Sequence, residues 1–465
     1  MSAQIRIPGV GKERVAVLGL ARSGLAAAEA LAASGAEVWA WDDNADKRAR
    51  AEARGIACRD LAAADFGRVL FLVMSPGIPH THPRPHPVAA RAKQAGVLLT
   101  SDIELLGRAC PQASYVGITG TNGKSTTTTL VGHMLSVAGR QVQVGGNLGV
   151  PALTLAPLGE GGIYVLEMSS YQLELIPTLV FDIAVLLNIT ADHLERHGGM
   201  TGYVAAKRRI FEGQDSSNTA IVALDDAESE SIYDDLVATG RQQVVPISVS
   251  RAVMGGIFVE DGLLTDDTGG WGNPILDLRL ASALPGAHNW QNAAAAYAVG
   301  HAIEIGDRTA ARSLLTYAGL AHRQERIAVI DGVTYINDSK ATNAEATGKA
   351  LACYESVYWI AGGRAKEGGI ASLAPHFHDI RHAFLIGEAA DGFAGTLDGR
   401  VAYTRSGDLK SAVAAATAKA RADGLTNAVV LLSPACASFD QFTDFEARGE
   451  AFRELVRSIE GVRTA

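Results

Sequence analysis

The stretch YVGITGTNGKSTTTTL, Tyr115–Leu130, decides the fold around it. An apolar run breaks into closely spaced glycines, and Lys124, Ser125 and Thr126 then open a helix. A strand that turns this way aims backbone N–H groups and a helix N-terminus at one place, which suits phosphate oxygens. Lys124 adds positive charge there, and the Ser125 hydroxyl can reach a magnesium ion. The spacing departs from G-x-x-x-x-G-K-[ST], since five residues separate Gly117 from Gly123 and two separate Gly120 from Gly123. Strand, glycines, lysine and hydroxyls nevertheless come in the right order, so Gly120, Thr121, Asn122 and Gly123 are read as a phosphate-binding turn.

Working outward, short runs rich in Val, Ile and Leu recur, each ending in Gly or a polar turn before an alanine-rich helical stretch. Arg14–Leu20, Arg68–Met74, Ser114–Ile118, Ile163–Leu166, Asp182–Leu187, Ser356–Ile360 and Asn427–Leu432 are such runs. This alternation predicts an α/β fold with mostly parallel sheets, in which ligands gather beyond the carboxyl ends of strands. Glu167 follows IYVL and His193 follows DIAVLLNITAD, which places two candidate metal ligands at strand ends. Magnesium prefers oxygen ligands and bridges a carboxylate to substrate phosphates, so Glu167 suits it better than His193 does.

Near the start, VAVLGLARSG at Val15–Gly24, with Asp42 and Asp43 after the next strand, has the outline of a dinucleotide fingerprint. Ala21 replaces its middle glycine, and a side chain there hinders close approach to a pyrophosphate. That argues against a nicotinamide or flavin site and leaves a modified nucleotide site or a structural turn. A length of 465 residues suggests two to four domains, with three the central expectation; the strand and glycine turn beginning at Ser114 and the apolar runs after Gly319 set boundaries near residues 111 and 319. Asp331-Gly332 between two apolar runs reads as a hairpin opening the last one. Residues 227–285 carry few clear signals and read as irregular strands and loops.

The balance of 41 Lys and Arg against 50 Asp and Glu, a net charge of −9, has the wrong sign for tracking nucleic acid. Cys58, Cys110, Cys353 and Cys436 lie far apart without metal-ligand spacing, as expected of reduced thiols. Neither a leader pattern nor a membrane-spanning apolar run is read, so a cytoplasmic protein is expected. In the last third, NDSKATN at Asn337–Asn343 and SPACASFDQFTDFEARG at Ser433–Gly449 are dense in small polar residues of the kind that cap helices. Lys340 is not needed for a cap, and its ammonium suits a carboxylate or acyl phosphate.

GTNGKST, NLGVPAL, EMSSYQLE, LNITADHLERH, GAHNWQNA, HRQE, NDSKATN and SPACASFDQF, in this order over nearly the whole chain, resemble the Mur ligase family, and within it the branch that adds D-glutamate. The resemblance implies three α/β domains: a Rossmann-like uridine-nucleotide domain (1–111), a central P-loop-type ATPase domain (112–319) and a Rossmann-like C-terminal domain (320–465). It implies ATP, two magnesium ions and the substrates UDP-N-acetylmuramoyl-L-alanine and D-glutamate, with no nucleic-acid or membrane partner and a monomeric state.

Carried over residue by residue, the resemblance gives Gly123, Lys124, Ser125 and Thr126 to the ATP phosphates. Glu167 falls to one magnesium, and His193 with Lys207, as a carbamate, to a second. Asn292, Arg323 and Asp338 match nucleotide contacts, while Asn147 and Ser169 match substrate-side positions. Arg22, Ser23, Asp42 and Asp43 match the uracil-binding end, with the segment Ser75 to Ile78, and so Ser75, Pro76 and Gly77, in the same region. Lys340, Thr342, Lys366, Ser438 and Phe445 match positions around D-glutamate or the reacting acyl group, although GGRAKEGG lacks the acidic residue that often precedes the lysine matching Lys366. Helical spacing in YVAAKRRIF sets Lys207 one turn from Tyr203 and Phe211, on a partly buried side. The implied chemistry is transfer of phosphate from ATP to the L-alanine carboxylate, then attack by the D-glutamate amine. A dehydrogenase, a nucleotide-binding regulator and another carboxylate–amine ligase such as a folylpolyglutamate synthase are the alternatives.

Overall fold

The computed structural model describes residues 5–365, 368–459 and 463–464, so Lys366 lies outside the described residues. The chain forms two compact units, one of Met1–Leu278 with Asn289–Leu314, the other of Arg279–His288 with Leu315–Ala465. The fold is α/β, its strands grouped in three sheets. Among the described residues no helix is long and apolar enough to cross a membrane.

The first unit holds two sheets. Strands β1 (Arg14–Leu18), β2 (Glu37–Trp41), β3 (Phe71–Met74) and β4 (Leu98–Thr100) form one, all parallel in the order β2-β1-β3-β4. Val15, Ala16, Val17 and Leu18 are all buried, because helices cover both faces and such a strand reads as an unbroken apolar run. The larger sheet contains β5 (Ser114–Thr119), β6 (Val142–Gly146), β7 (Ile163–Glu167), β8 (Ile183–Leu186), β9 (Thr219–Ala223), β10 (Gln243–Ser248), β11 (Ile257–Glu260), β12 (Leu263–Asp266) and β13 (Asn273–Asp277). Its order is β13-β12-β11-β10-β9-β8-β5-β7-β6. Parallel pairing runs from β6 to β11, and an antiparallel meander β11–β13 finishes the edge. Since β5 lies between β7 and β8, the loops leaving these three strands open a crevice at the switch point of the sheet.

The reading of residues 227–285 as irregular strands and loops is corrected over its first part. Ala227–Thr239 is a 13-residue helix, capped by Asp226, whose carboxylate accepts the Ser229 N–H at 2.9 Å, and ended by Gly240 in the left-handed region. The capping aspartate, the acidic first turn and the terminal glycine were its signals. Its apolar face is thin, with Ile232 and Leu236 the large buried side chains, so periodicity alone is weak.

The second unit contains β14 (Glu325–Ile330), β15 (Val333–Asn337), β16 (Val357–Gly362), β17 (Ile380–Ile386), β18 (Tyr403–Gly407), β19 (Val429–Leu432) and β20 (Arg463–Thr464), in the order β18-β17-β16-β19-β15-β14-β20. Asp331 and Gly332 join β14 to β15 with φ of 50° and 81°, the pair of positive values a tight two-residue hairpin needs. Parallel pairing of β16, β19 and β15 brings the segments after Gly362, Leu432 and Asn337 to one end of the sheet.

Gly24 packs the first helix, Arg22–Ala33, onto the turn after β1: a Cβ there would stand 1.8 Å from the Gly19 carbonyl oxygen. Gly24→Ala is expected to cost about 1–3 kcal/mol through overpacking. Gly392→Ala, in helix Ala390–Leu397 with open space around it, is expected to be neutral or slightly stabilising. Thermal unfolding of the two variants measures the contrast, and equal melting temperatures would refute it.

Candidate active site

The turn after β5 is built on backbone hydrogen bonds to the segment after β8. The Thr121 N–H donates to the Asn188 carbonyl and the Asn122 N–H to its side-chain oxygen, each at 2.8 Å. Asn188 is itself held, donating to Gln291 Oε1 at 3.0 Å, while Gln291 donates to Asp225 at 2.7 Å. Gly123 begins the helix Lys124–Val137 with φ +85°, and no side chain caps that end. A Cβ on Gly123 would lie 2.3 Å from Asn292 Oδ1, the atom that accepts from Thr127 Oγ1 at 3.1 Å. Ser125, Thr126 and Asn292 are buried around this helix start. Lys124 Nζ donates to the carbonyls of Gly120 and Thr121, both at 2.8 Å.

Glu167 ends β7 beside this turn and is 3% exposed. Asn147 donates to its Oε1 at 2.7 Å, while its buried Oε2 has no hydrogen-bond partner among the described residues. A carboxylate oxygen left so at a phosphate loop fits a hard cation. His193 has φ 50°, and its half-exposed ring lies 5.3 Å from that of Tyr171 and 3.4 Å from an Asp192 oxygen. Lys207, in helix Met200–Arg208, is only 1% exposed and donates to the Gly120 carbonyl at 2.7 Å. Tyr203 and Phe211, the neighbours its helical spacing picks out, are buried too. Burial, with the Lys124 ammonium nearby, pushes the Lys207 amine well below the ordinary lysine value, against a weaker pull from Asp192.

A cavity of about 680 Å³ in the first unit gathers Arg22, Ser23, Asp42, Asp43, Ser75, Pro76 and Gly77 from the small sheet with Asn147 and Ser169 from the large one. Ala21, which breaks the glycine fingerprint, lines this cavity at the start of helix Arg22–Ala33 with an ordinary φ of −72° and gives that helix no side-chain cap. Asp42 is buried and organises this wall: it accepts the Leu20 N–H at 2.7 Å and the Asn44 N–H at 2.9 Å, with Lys47 Nζ at 3.3 Å. The hydrogen bond from His86, at 3.1 Å, holds the more exposed Asp43 carboxyl below its usual value. Ser75 donates to the Gly19 carbonyl at 3.1 Å, and Ser169 caps the short helix Ser170–Leu173 in a reciprocal box with Gln172. Lys47, His86, Tyr171 and Gln172 also line the cavity and were not singled out. The last two stood inside EMSSYQLE, whereas Lys47 and His86 carried no pattern.

In the second unit, Lys340 and Thr342 follow β15, Ser438 follows β19, and Phe445 opens helix Phe445–Arg457. Lys340 Nζ lies 5.6 Å from the Phe445 ring centroid. Ser339 Oγ donates to the Phe445 carbonyl at 2.8 Å, and the N–H groups of Arg364 and Ala437 exchange hydrogen bonds with each other's carbonyls. Asp338 is 5% exposed, accepting from Ser433 Oγ at 2.8 Å and from the Gln324 N–H at 3.1 Å. Burial pushes its carboxyl up to about 7, although both hydrogen bonds and Arg323 oppose the shift.

A mostly parallel sheet with a glycine turn, a helix start and the buried Glu167 carboxylate at its switch point has the build of a nucleotide-binding α/β protein. The Mur ligase middle domain matches residues 118–300. The UDP-N-acetylmuramoylalanine–D-glutamate ligase of Paramagnetospirillum magneticum is 52% identical over 98% of this chain and 99% of its own, and that of Caulobacter vibrioides NA1000 is 50% identical over 98% of each. The fold is similar to that of UDP-N-acetylmuramate–alanine ligase from Thermotoga maritima, with a TM-score of 0.57 and 17% identity over 96% of this chain and 99% of that one. It is also similar to a pseudomurein peptide ligase from Methanothermus fervidus, with a TM-score of 0.54 and 16% identity over 96% and 100%. The chain belongs to the Mur ligase family, in the group whose curated members are named for D-glutamate addition.

Asp338 gives a pH test. Between the ordinary carboxyl value of about 4 and its folded value of about 7, the folded protein keeps a proton that the unfolded chain has lost. Its contribution to stability is therefore full below about 4 and declines as pH rises to about 7. Asp338→Asn should show a flatter fall of unfolding temperature with pH across that window; identical slopes for variant and wild type would refute the assignment.

Proposed function

We propose that this chain joins D-glutamate to UDP-N-acetylmuramoyl-L-alanine at the expense of ATP, as a cytoplasmic monomer supplying peptidoglycan precursor. The observation that carries the reading is Glu167: a buried carboxylate with one oxygen that has no hydrogen-bond partner among the described residues, at a strand end beside a glycine turn and lysine. Near-full-length similarity to D-glutamate ligases supports the choice of substrates. The division into domains at residues 111 and 319 is part of the same proposal.

The γ-phosphoryl group passes from ATP to the L-alanine carboxylate, giving ADP and an acyl phosphate. The D-glutamate amine then attacks the acyl carbon, the new amide loses a proton, and phosphate leaves. Such a transfer asks the protein for positioning and charge neutralisation and needs no covalent nucleophile. The amides of the 120–123 turn and the helix start at Lys124–Thr126 hold the phosphates, with Lys124 supplying charge. Asn292, Arg323 and Asp338 serve the nucleotide. Magnesium, held by Glu167 with Ser125 and, at a second position, by His193 with carbamylated Lys207, would neutralise charge on the transferring phosphate.

Arg22, Ser23, Asp42, Asp43 and the Ser75–Gly77 turn serve the uridine end, the aspartates by shaping the loops, while Asn147 and Ser169 face the rest of that substrate. Lys340, Thr342, Ser438 and Phe445 serve D-glutamate, and Lys366 is assigned there from its motif alone.

The primary test is phosphate release from ATP. Release should require both UDP-N-acetylmuramoyl-L-alanine and D-glutamate, and Lys124→Ala should abolish it with the melting temperature little changed. Release without the uridine substrate, or with a folate in its place, would overturn the reading, and a fully active Lys124→Ala would overturn the phosphate loop.

Lys207 is tested separately. Its buried environment favours the neutral amine, the form that adds carbon dioxide, and the carbamate offers the anionic oxygen a hard cation prefers. Lys207→Ala should be nearly inactive and regain part of its activity in acetate or formate. Full activity without added acid would remove the carbamate.

A further inference from the structure

One cluster in the first unit lies outside the groups just assigned. Arg196 is 9% exposed and reaches across from the large sheet's loops to those of the small sheet. Its Nη2 donates to the Ile78 carbonyl and its Nη1 to Thr81 Oγ1, each at 3.3 Å, and Nη2 lies 3.5 Å from His80 Nδ1. Nη1 lies 3.6 Å from Glu174 Oε2, and the guanidinium carbon sits 5.0 Å from the centre of the Tyr171 ring. Ile78, Pro79 and Tyr171 all line the 680 Å³ cavity. At its own backbone, the Arg196 N–H donates to the His193 carbonyl at 2.9 Å.

Glu174 is the other half of this brace. It accepts from His197 Nδ1 at 3.2 Å, and His197 Nε2 meets Ser170 Oγ at 2.9 Å. Hydroxyl, imidazole and carboxylate are aligned as in a hydrolytic triad, but the His197 side chain is wholly buried and Ser170 is 4% exposed. No substrate reaches that hydroxyl, so the alignment ties helix Ser170–Leu173 to helix Leu194–His197. Burial pushes His80 down to about 4, which leaves it neutral and makes Arg196 the cation that offsets Glu174 on this side.

We propose that Arg196 is a positioning residue for the uridine substrate: it fastens the Ile78–Thr81 loop and the Tyr171 ring to the segment that carries His193, and so fixes the width of the cavity. The geometry calls for arginine, because one planar group must donate in two directions while stacking on a ring, which a lysine ammonium cannot do. Removing it frees one wall of the cavity and leaves Glu174 without its cationic partner. Among the described residues the phosphate turn makes none of these contacts.

This inference rests on the ligase reading above, and the experiment separates the two. Steady-state kinetics on the full chain would compare wild type with Arg196→Met, Arg196→Lys and Thr81→Val. Arg196→Met should raise the KM for UDP-N-acetylmuramoyl-L-alanine about tenfold, the equivalent of one anchoring interaction, with the KM for D-glutamate unchanged. Arg196→Lys should fall between it and wild type. Thr81→Val, which removes one hydroxyl and keeps the shape of the loop, should shift the same KM in the same direction by a smaller factor. Equal rises in both KM values, or a loss of kcat with both unchanged, would overturn the positioning role while wild-type turnover upholds the ligase. A wild type that does not turn over with the two substrates together would instead overturn the ligase reading, and this inference with it.

Discussion

Two hydrogen bonds of 2.8 Å, from the Thr121 and Asn122 N–H groups to Asn188, hold the glycine turn at the end of β5 in place. Everything assigned to phosphate chemistry depends on that restraint. It ties the loop after β5 to the loop after β8, and Asn188 is in turn held through Gln291 to Asp225. The turn can then expose its remaining backbone groups without collapsing. Gly123 completes the constraint, since its positive φ and its contact with Asn292 leave no room for a side chain.

In both units the protein buries ionisable side chains in ways that carry a cost unless they serve chemistry. Among the described residues Glu167 keeps an oxygen without a hydrogen-bond partner, Lys207 has its amine pressed toward neutrality, and Asp338, in the second unit, has its carboxyl raised. Burial disfavours the ionised forms of Lys207 and Asp338, and a buried carboxylate oxygen such as that of Glu167 calls for a partner. Such groups cluster where ligands are bound. By contrast Asp42 is also buried, but three donors surround it and it works as scaffold for the cavity wall.

Much of this was legible in the sequence because it is local. The buried parallel strands read as apolar runs, the hairpin followed from Asp331-Gly332, and the strand–turn–helix at Tyr115–Leu130 followed from glycine and hydroxyl placement. Helix Ala227–Thr239 was missed because its core-facing stripe is thin, so its caps, and not its periodicity, marked it.

The sequence by itself determined which residues could hold phosphate, cation and carboxylate, since residue type and strand-end position are written in order along the chain. Only the tertiary structure decided which of them share a space. Arg22 and Ser169 stand far apart in sequence yet line one cavity. Arg196 carries no pattern of its own within LNITADHLERH, and becomes a brace only because Ile78, Thr81, Glu174 and Tyr171 arrive around it from other segments. Such contacts come from strand order and from the packing of two sheets, and these bring together parts of the chain whose separation no local pattern records.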